Sequence, residues 1–252
     1  MAEIISIRGL FRGKFHWGAF PDLLGDTLSG FTVSCYDVPG NGALSQEVSP
    51  NTIEGMVESL RAQRANNESA HLVCISMGGT IGIKWAELYP NEVESLVCIN
   101  TSAKGFSPIH HRLRPSNYLK IIAAIFKDHK GRESTIYNMV SNKPYNETVV
   151  AEWALLNDKY PNKKENFFRQ LFAAMKFKAV RPQCPLLFLA SSNDRMVNSL
   201  SSKALAECWQ APLVWNDIDG HDIPLDNPQW VCSQLLSFYG SESVQKVLKQ
   251  SI

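Results

Sequence analysis

A chain of 252 residues has the size of one large domain, or of one domain carrying an insertion. Its 44% apolar and 19% charged residues exclude a disordered polypeptide, and no apolar run reaches the roughly 18 residues that crossing a bilayer requires. The formal charge of +1 names no partner by itself.

The N-terminus, MAEIISIRGLFRGKF, lacks the basic, apolar and small-residue succession of a secretory signal. The cysteines, Cys35, Cys74, Cys98, Cys184, Cys208 and Cys232, include no CxxC pair. Reduced thiols in a cytoplasmic protein without a metal site are the expectation.

In chain order, apolar runs rich in branched residues fall at Ile4–Ile7, Thr32–Tyr36, His71–Ile75, Leu96–Ile99, Leu186–Ala190 and Leu213–Ile218. Most are continuously apolar, which predicts strands buried on both faces of a parallel sheet. Helix-length segments lie between them. Asn51–Asn66 opens with a cap at Asn51 and Glu54 in the reciprocal capping-box position. Gly78–Tyr89 stops before Pro90, and Pro228–Tyr239 starts on proline and ends at Gly240. Strand and helix in repetition predict a doubly wound α/β fold with a mostly parallel sheet of about six strands. Because Ile4–Ile7 follows Met1 so closely, all six are expected to be parallel.

Residues 104–181 break the alternation. They offer no strand but four helical patterns, Asn117–Lys127, Glu133–Val140, Glu147–Asp158 and Lys164–Phe177. A helical cap inserted into a core of 1–103 and 182–252 is the economical division. The insertion holds 15 Lys and Arg against 6 Asp and Glu, a formal +9, which leaves −8 for the remainder. Lysine-rich exposed helices account for this plainly. The sharper reading is an anionic acyl substrate or an acidic carrier attracted to the cap, with Arg112 and Arg114 in its densest basic cluster. Nothing resembles a nucleic-acid motif, and no membrane partner is expected.

The segment HLVCISMGGTIGIKWAELYP reads as strand, sharp turn and helix, with Ser76 at the turn. A serine hydroxyl is a poor nucleophile that needs a base and an anion site. A turn of this kind projects the side chain and leaves the Met77 N–H free at a helix N-terminus for a developing oxyanion. The usual G-x-S-x-G pattern is here Cys74-Ile75-Ser76-Met77-Gly78. Taken alone, this segment also fits a serine at an ordinary strand–helix junction.

With its flanking segments the chain resembles the α/β-hydrolase superfamily. ISIRGLFRGKFHWGAFPDLL is similar to the strand and oxyanion loop that usually carry His-Gly, with Arg8 in place of the histidine and Gly9 kept. YDVPGNG resembles the D-x-P-G-x-G turn, LLFLASSNDRMV the strand that delivers the acid, and DGHDIPLDNP the loop that carries the histidine. The resemblance implies a Ser76, Asp194, His221 triad without cofactor or metal, and Leu10 as second oxyanion donor through its N–H. The chain order of the three fits this fold, and Asp194 follows a predicted strand where open α/β sheets bind ligands. Asp219 and Asp222 are rival orienting acids beside His221. His16, in the oxyanion loop, lines the pocket or packs structurally.

The implied activity is a serine hydrolase that cleaves a carboxylic ester or thioester through an acyl-enzyme. The alternatives are a triad-dependent lyase resembling the menaquinone-pathway synthase and a non-catalytic ligand-binding homologue. The lyase resemblance is thin, because Thr80 follows Ser76-Met77-Gly78-Gly79 where that enzyme has arginine.

Overall fold

The structure, a computed structural model, describes residues 1–66 and 68–241. The strands β1 (Ala2–Ile7), β2 (Phe31–Cys35), β3 (Ala70–Ile75), β4 (Val93–Ile99), β5 (Leu186–Ser191) and β6 (Leu213–Asn216) form one sheet in the order β2-β1-β3-β4-β5-β6. All pairings are parallel, so the expected six-stranded parallel sheet is found. Every residue of β3 and β5 is buried, which is why those runs do not alternate with polar residues.

The core helices are α1 (Phe20–Thr27), α2 (Ile53–Arg61), α3 (Met77–Leu88), then, after the insertion, α9 (Leu200–Trp209), α10 (Ile223–Asp226) and α11 (Pro228–Tyr239). One apolar layer joins Leu72, Cys74, Leu96 and Phe188 of the sheet to Met56 of α2, Trp85 of α3 and Leu205 of α9. The layer on the other face joins Val73, Ile75, Val97 and Leu189 to Phe20 and Leu24 of α1 and Leu235 of α11. Alternate residues of each strand feed the two layers, as the period of two requires.

The helix predicted from Asn51 starts later and ends earlier. Thr52 is its N-cap, its side chain accepting the Gly55 N–H at 3.1 Å, and α2 stops at Arg61. That one-residue shift takes Glu54 out of the capping-box position.

Between β4 and β5 lie α4 (Ile109–Arg112), α5 (Tyr118–Ile125), α6 (His129–Val140), α7 (Glu147–Lys159) and α8 (Lys164–Lys176). These correspond to the four expected patterns plus the single turn of α4. Helix α6 begins at His129 because the Asp128 carboxylate caps it through the Gly131 N–H. Tyr137, Met139, Val140, Val150 and Trp153 form a small core of their own. An isolated bridge between Lys104 and Lys178 draws the two ends of the insertion together.

The chain leaves β1 for β2 on one side and resumes with β3 on the other. Strand order therefore reverses at β1 and β3, and the C-terminal ends of these neighbours open the crevice where such sheets bind ligands.

Candidate active site

Strand β3 delivers Ser76 into this crevice. Ser76 has φ 56° and ψ −121° and serves as N-cap of α3. Its N–H bonds the Ile99 carbonyl at 2.8 Å, and its own carbonyl accepts the Gly79 N–H at 3.0 Å. It is the one partly exposed residue between positions 70 and 86. The turn is held by close backbone packing. A Cβ on Gly78 would stand 2.3 Å from the Ile7 carbonyl oxygen, and one on Gly79 would stand 1.9 Å from Thr101 Oγ1. Cys74, in place of the usual first glycine, is accommodated by Gly82, where a Cβ would lie 2.9 Å from Cys74 Sγ.

The loop after β1 lies against the serine. A Cβ on Gly9 would be 3.1 Å from Ser76 Cβ and 3.5 Å from Oγ. The next residue is Leu10, whose N–H donates to no group among the described residues, and Met77 is the first residue of α3. The Met77 N–H, at the first position of the helix, is one of the donors that an α-helix leaves without an intrahelical partner. Phe11 takes φ 58° and donates its N–H to Gln170 Oε1 of α8 at 2.8 Å. Of the four non-glycine residues with positive φ among the described residues, Ser76 is one, Phe11 follows Leu10, and Asn100 holds the His221 carbonyl. Such conformations cost on the order of 1–3 kcal/mol each and collect at functional sites.

Asp194 follows β5 and is buried. Its Oδ1 accepts the N–H groups of Met196 at 2.7 Å and Val197 at 2.8 Å, while Oδ2 meets His221 Nδ1 at 2.6 Å. The His221 loop is fixed from behind, where Asn100 Nδ2 donates to the His221 carbonyl at 2.7 Å. Burial pushes the imidazole toward its neutral form. The charge and hydrogen bond of Asp194, helped by Asp222 and opposed by Arg8, outweigh that and raise its pKa above the ordinary 6.5. Ser76 Oγ makes no hydrogen bond among the described residues.

The rival acids have other partners. Asp222 pairs with Arg8 through both carboxylate oxygens, the Oδ1 contact being 3.1 Å. Asp219 accepts from Asn216 Nδ2 at 2.7 Å and pairs with Lys143 at 2.8 Å. Asp194 alone reaches the imidazole.

His16 is buried, with Nδ1 at 3.2 Å from both the Gly13 N–H and carbonyl, and its ring 5.9 Å from that of Trp153. Burial first, then the charges of Arg12 and Arg8, hold its pKa well below the usual value, so the ring is neutral. Arg112 donates to the carbonyls of Ala174 at 2.7 Å and Met175 at 3.2 Å, closing the C-terminus of α8. Arg114 Nε donates to the Asp194 carbonyl at 3.0 Å. Of the two arginines read from the sequence as substrate contacts, Arg112 ties α4 to α8 within the insertion, and Arg114 ties the insertion to the loop after β5. Gln170 and Asn100 carried no sequence signal, since an isolated amide announces nothing until its partners are known.

A serine of positive φ between strand and helix and a buried acid–imidazole pair, on a six-stranded parallel sheet, define an α/β-hydrolase-fold enzyme. The chain belongs to the hydrolase family described as serine aminopeptidase, S33, whose model matches residues 16–214. That span includes Ser76 and Asp194 and ends before His221. The human monoacylglycerol lipase ABHD6 is 22% identical in an alignment 262 positions long that covers 95% of this chain and 75% of that protein. The fold matches that of lip1 from Acinetobacter baumannii AYE, with TM-score 0.77, 22% identity and coverage of 99% of this chain and 85% of that one. It also matches a thermophilic esterase from Thermogutta terrifontis, with TM-score 0.75, 17% identity and coverage of 98% and 90%. The protein is a hydrolase with the α/β-hydrolase fold.

Proposed function

We propose that the protein hydrolyses a carboxylic ester or thioester through an acyl-enzyme on Ser76. The observation that carries this reading is the Asp194–His221 hydrogen bond of 2.6 Å, with the other Asp194 oxygen held by two backbone N–H groups. An acid so fixed sets the Nδ1–H tautomer, which leaves His221 Nε2 as the base.

Ser76 Oγ attacks the carbonyl carbon while its proton passes to His221 Nε2. The resulting oxyanion accepts the N–H groups of Leu10 and Met77, whose placement beside the developing charge supplies stabilisation that the planar ester does not receive. Collapse breaks the bond to the leaving group, which takes the proton from His221. Water then attacks the acyl-enzyme by the same route in reverse, returning the proton to Ser76 and releasing the acid. Apart from this water, the steps proposed use only groups of the chain.

A fluorophosphonate probe is expected to label wild-type protein and not Ser76→Ala. A panel of p-nitrophenyl esters and acyl thioesters then identifies the leaving group and acyl length. Turnover of the panel by Ser76→Ala within tenfold of wild type would remove Ser76 as nucleophile, since losing a triad serine costs about 10⁶-fold.

A further inference from the structure

Helix α5 buries one face and leaves the other open. Ala124 is buried and Ile121 packs against the small cap core. Leu119, Ile122 and Phe126 are 80%, 53% and 80% exposed. Spaced i, i+3 and i+7, they share one stripe of a helix with 3.6 residues per turn. Single exposed leucines are ordinary, but a contiguous stripe of large apolar side chains marks a surface that meets something.

Three lysines border the stripe, with Asp128, which caps α6, at one end. Lys120 and Lys127 lie beside it on the same helix and its end, and Lys164 Nζ of α8 sits 5.3 Å from the Phe126 ring. Lys127 donates to the neutral Thr135 hydroxyl at 2.8 Å. The lysines that do form ion pairs among the described residues are Lys84, Lys130, Lys143 and Lys203, so none of the three around the stripe has a carboxylate partner. Alongside α5 opens a cavity of about 400 Å³ lined by Arg114, Lys120 and Arg195. Asp194 also borders it, but both of its carboxylate oxygens are already engaged by His221 and by backbone N–H groups. Arg114, Lys120 and Arg195 form no ion pair with a carboxylate among the described residues.

We propose that this face docks the protein onto an anionic lipid surface. Leu119, Ile122 and Phe126 enter the boundary between headgroups and acyl chains, the lysines lie at headgroup level, and the cavity beside Lys120 seats a headgroup phosphate. The pairing of an exposed apolar stripe with cations outside any ion pair selects this occupant, because an anionic interface satisfies both. A second copy of the chain would set the same lysines against themselves. The inference departs from the sequence expectation that no membrane is a partner, and it does not depend on the chemistry of Ser76.

The test is co-sedimentation of the full chain with vesicles of phosphatidylcholine alone and of phosphatidylcholine mixed with phosphatidylserine. Wild type is expected to partition onto the mixed vesicles and to be released by high salt, which screens the lysines. The pair Leu119→Ser and Phe126→Ser, and separately Lys120→Glu and Lys127→Glu, should each lower the partition coefficient by about tenfold or more. Both double variants should keep the wild-type circular-dichroism spectrum and thermal midpoint within a few degrees, which shows that they fold. Ser76→Ala should bind vesicles as wild type does, so failure of the hydrolase reading would leave docking intact. Equal partitioning of wild type and both double variants overturns the proposal. So does a wild-type dimer in solution that the apolar substitutions dissociate, since that would assign the stripe to a second copy.

Discussion

Arg8 and Asp222 form a two-point salt bridge sealed from solvent, joining the residue before the oxyanion-loop glycine to the residue after His221. The Arg8 guanidinium also lies 4.6 Å from the centroid of the Trp17 ring. The pair thus couples the two loops that must act together on one carbonyl. Removing one partner of a buried pair leaves an uncompensated charge and costs about 3–5 kcal/mol, whereas replacing both by apolar residues of similar size is often neutral. Asp222→Asn is therefore expected to lose stability in that range by urea denaturation, and Arg8→Met with Asp222→Leu to recover most of it. Full stability in Asp222→Asn would show that the bridge contributes little.

His221 serves as base only when neutral. Because its pKa is raised above 6.5, kcat/KM for an ester should climb with pH through a midpoint above that value. Asp194→Asn removes the main raising influence, so the midpoint should move down while kcat falls by roughly 10⁴-fold from loss of the tautomer. A wild-type midpoint at or below 6.5, with chemistry limiting, would contradict the arrangement.

Cys74 and Gly82 share one space. A methyl on Gly82 would lie 2.9 Å from Cys74 Sγ and 2.7 Å from Leu96 Cδ1, so Gly82→Ala should cost about 1–3 kcal/mol by overpacking. Cys74→Gly in the same chain should return part of that loss. Additive effects in the double-mutant cycle would show that the two positions do not exchange volume.

Gln170 is fully buried on α8 and ties the loop after β1 to the connection between β2 and α2. Its Oε1 takes the Phe11 N–H, and its Nε2 donates at 2.9 Å to both Asn41 Oδ1 and Ser49 Oγ. Gln170→Leu should strand the Phe11 N–H, costing about 1–3 kcal/mol of stability, and loosen the loop that carries Leu10. The kinetic signature is a fall in kcat with little change in KM, as expected for a contact realised in the transition state. Gln170→Glu, which keeps the acceptor for Phe11, should fall less. Matching losses in the two variants would assign Gln170 to packing alone.

The sheet was legible because burial on both faces forces continuous apolar runs, and the ends of those runs mark where Ser76 and Asp194 emerge. Helix starts were less legible. At Asn51 and Thr52 two capping residues stand side by side, and only backbone geometry distinguishes them. The arginines 112 and 114 were visible as charge, but a count of cations does not reveal that their nearest acceptors are the carbonyls of Ala174, Met175 and Asp194. Partners far apart in sequence, such as Arg8 with Asp222 or Phe11 with Gln170, leave no local pattern to read.

Gly220, beside His221, packs so closely on α6 that a Cβ there would stand 2.4 Å from the Val140 carbonyl, and that same carbonyl accepts the Asp222 N–H at 2.9 Å. The insertion is consequently not an interchangeable module. A chimaera that grafted a foreign cap onto this core would have to bring a backbone contact equivalent to Val140 and an amide equivalent to Gln170, or forfeit the alignment of both loops. A change in the insertion that displaces Val140 or Gln170 thereby displaces the loops that carry His221 and Phe11, and must be matched there.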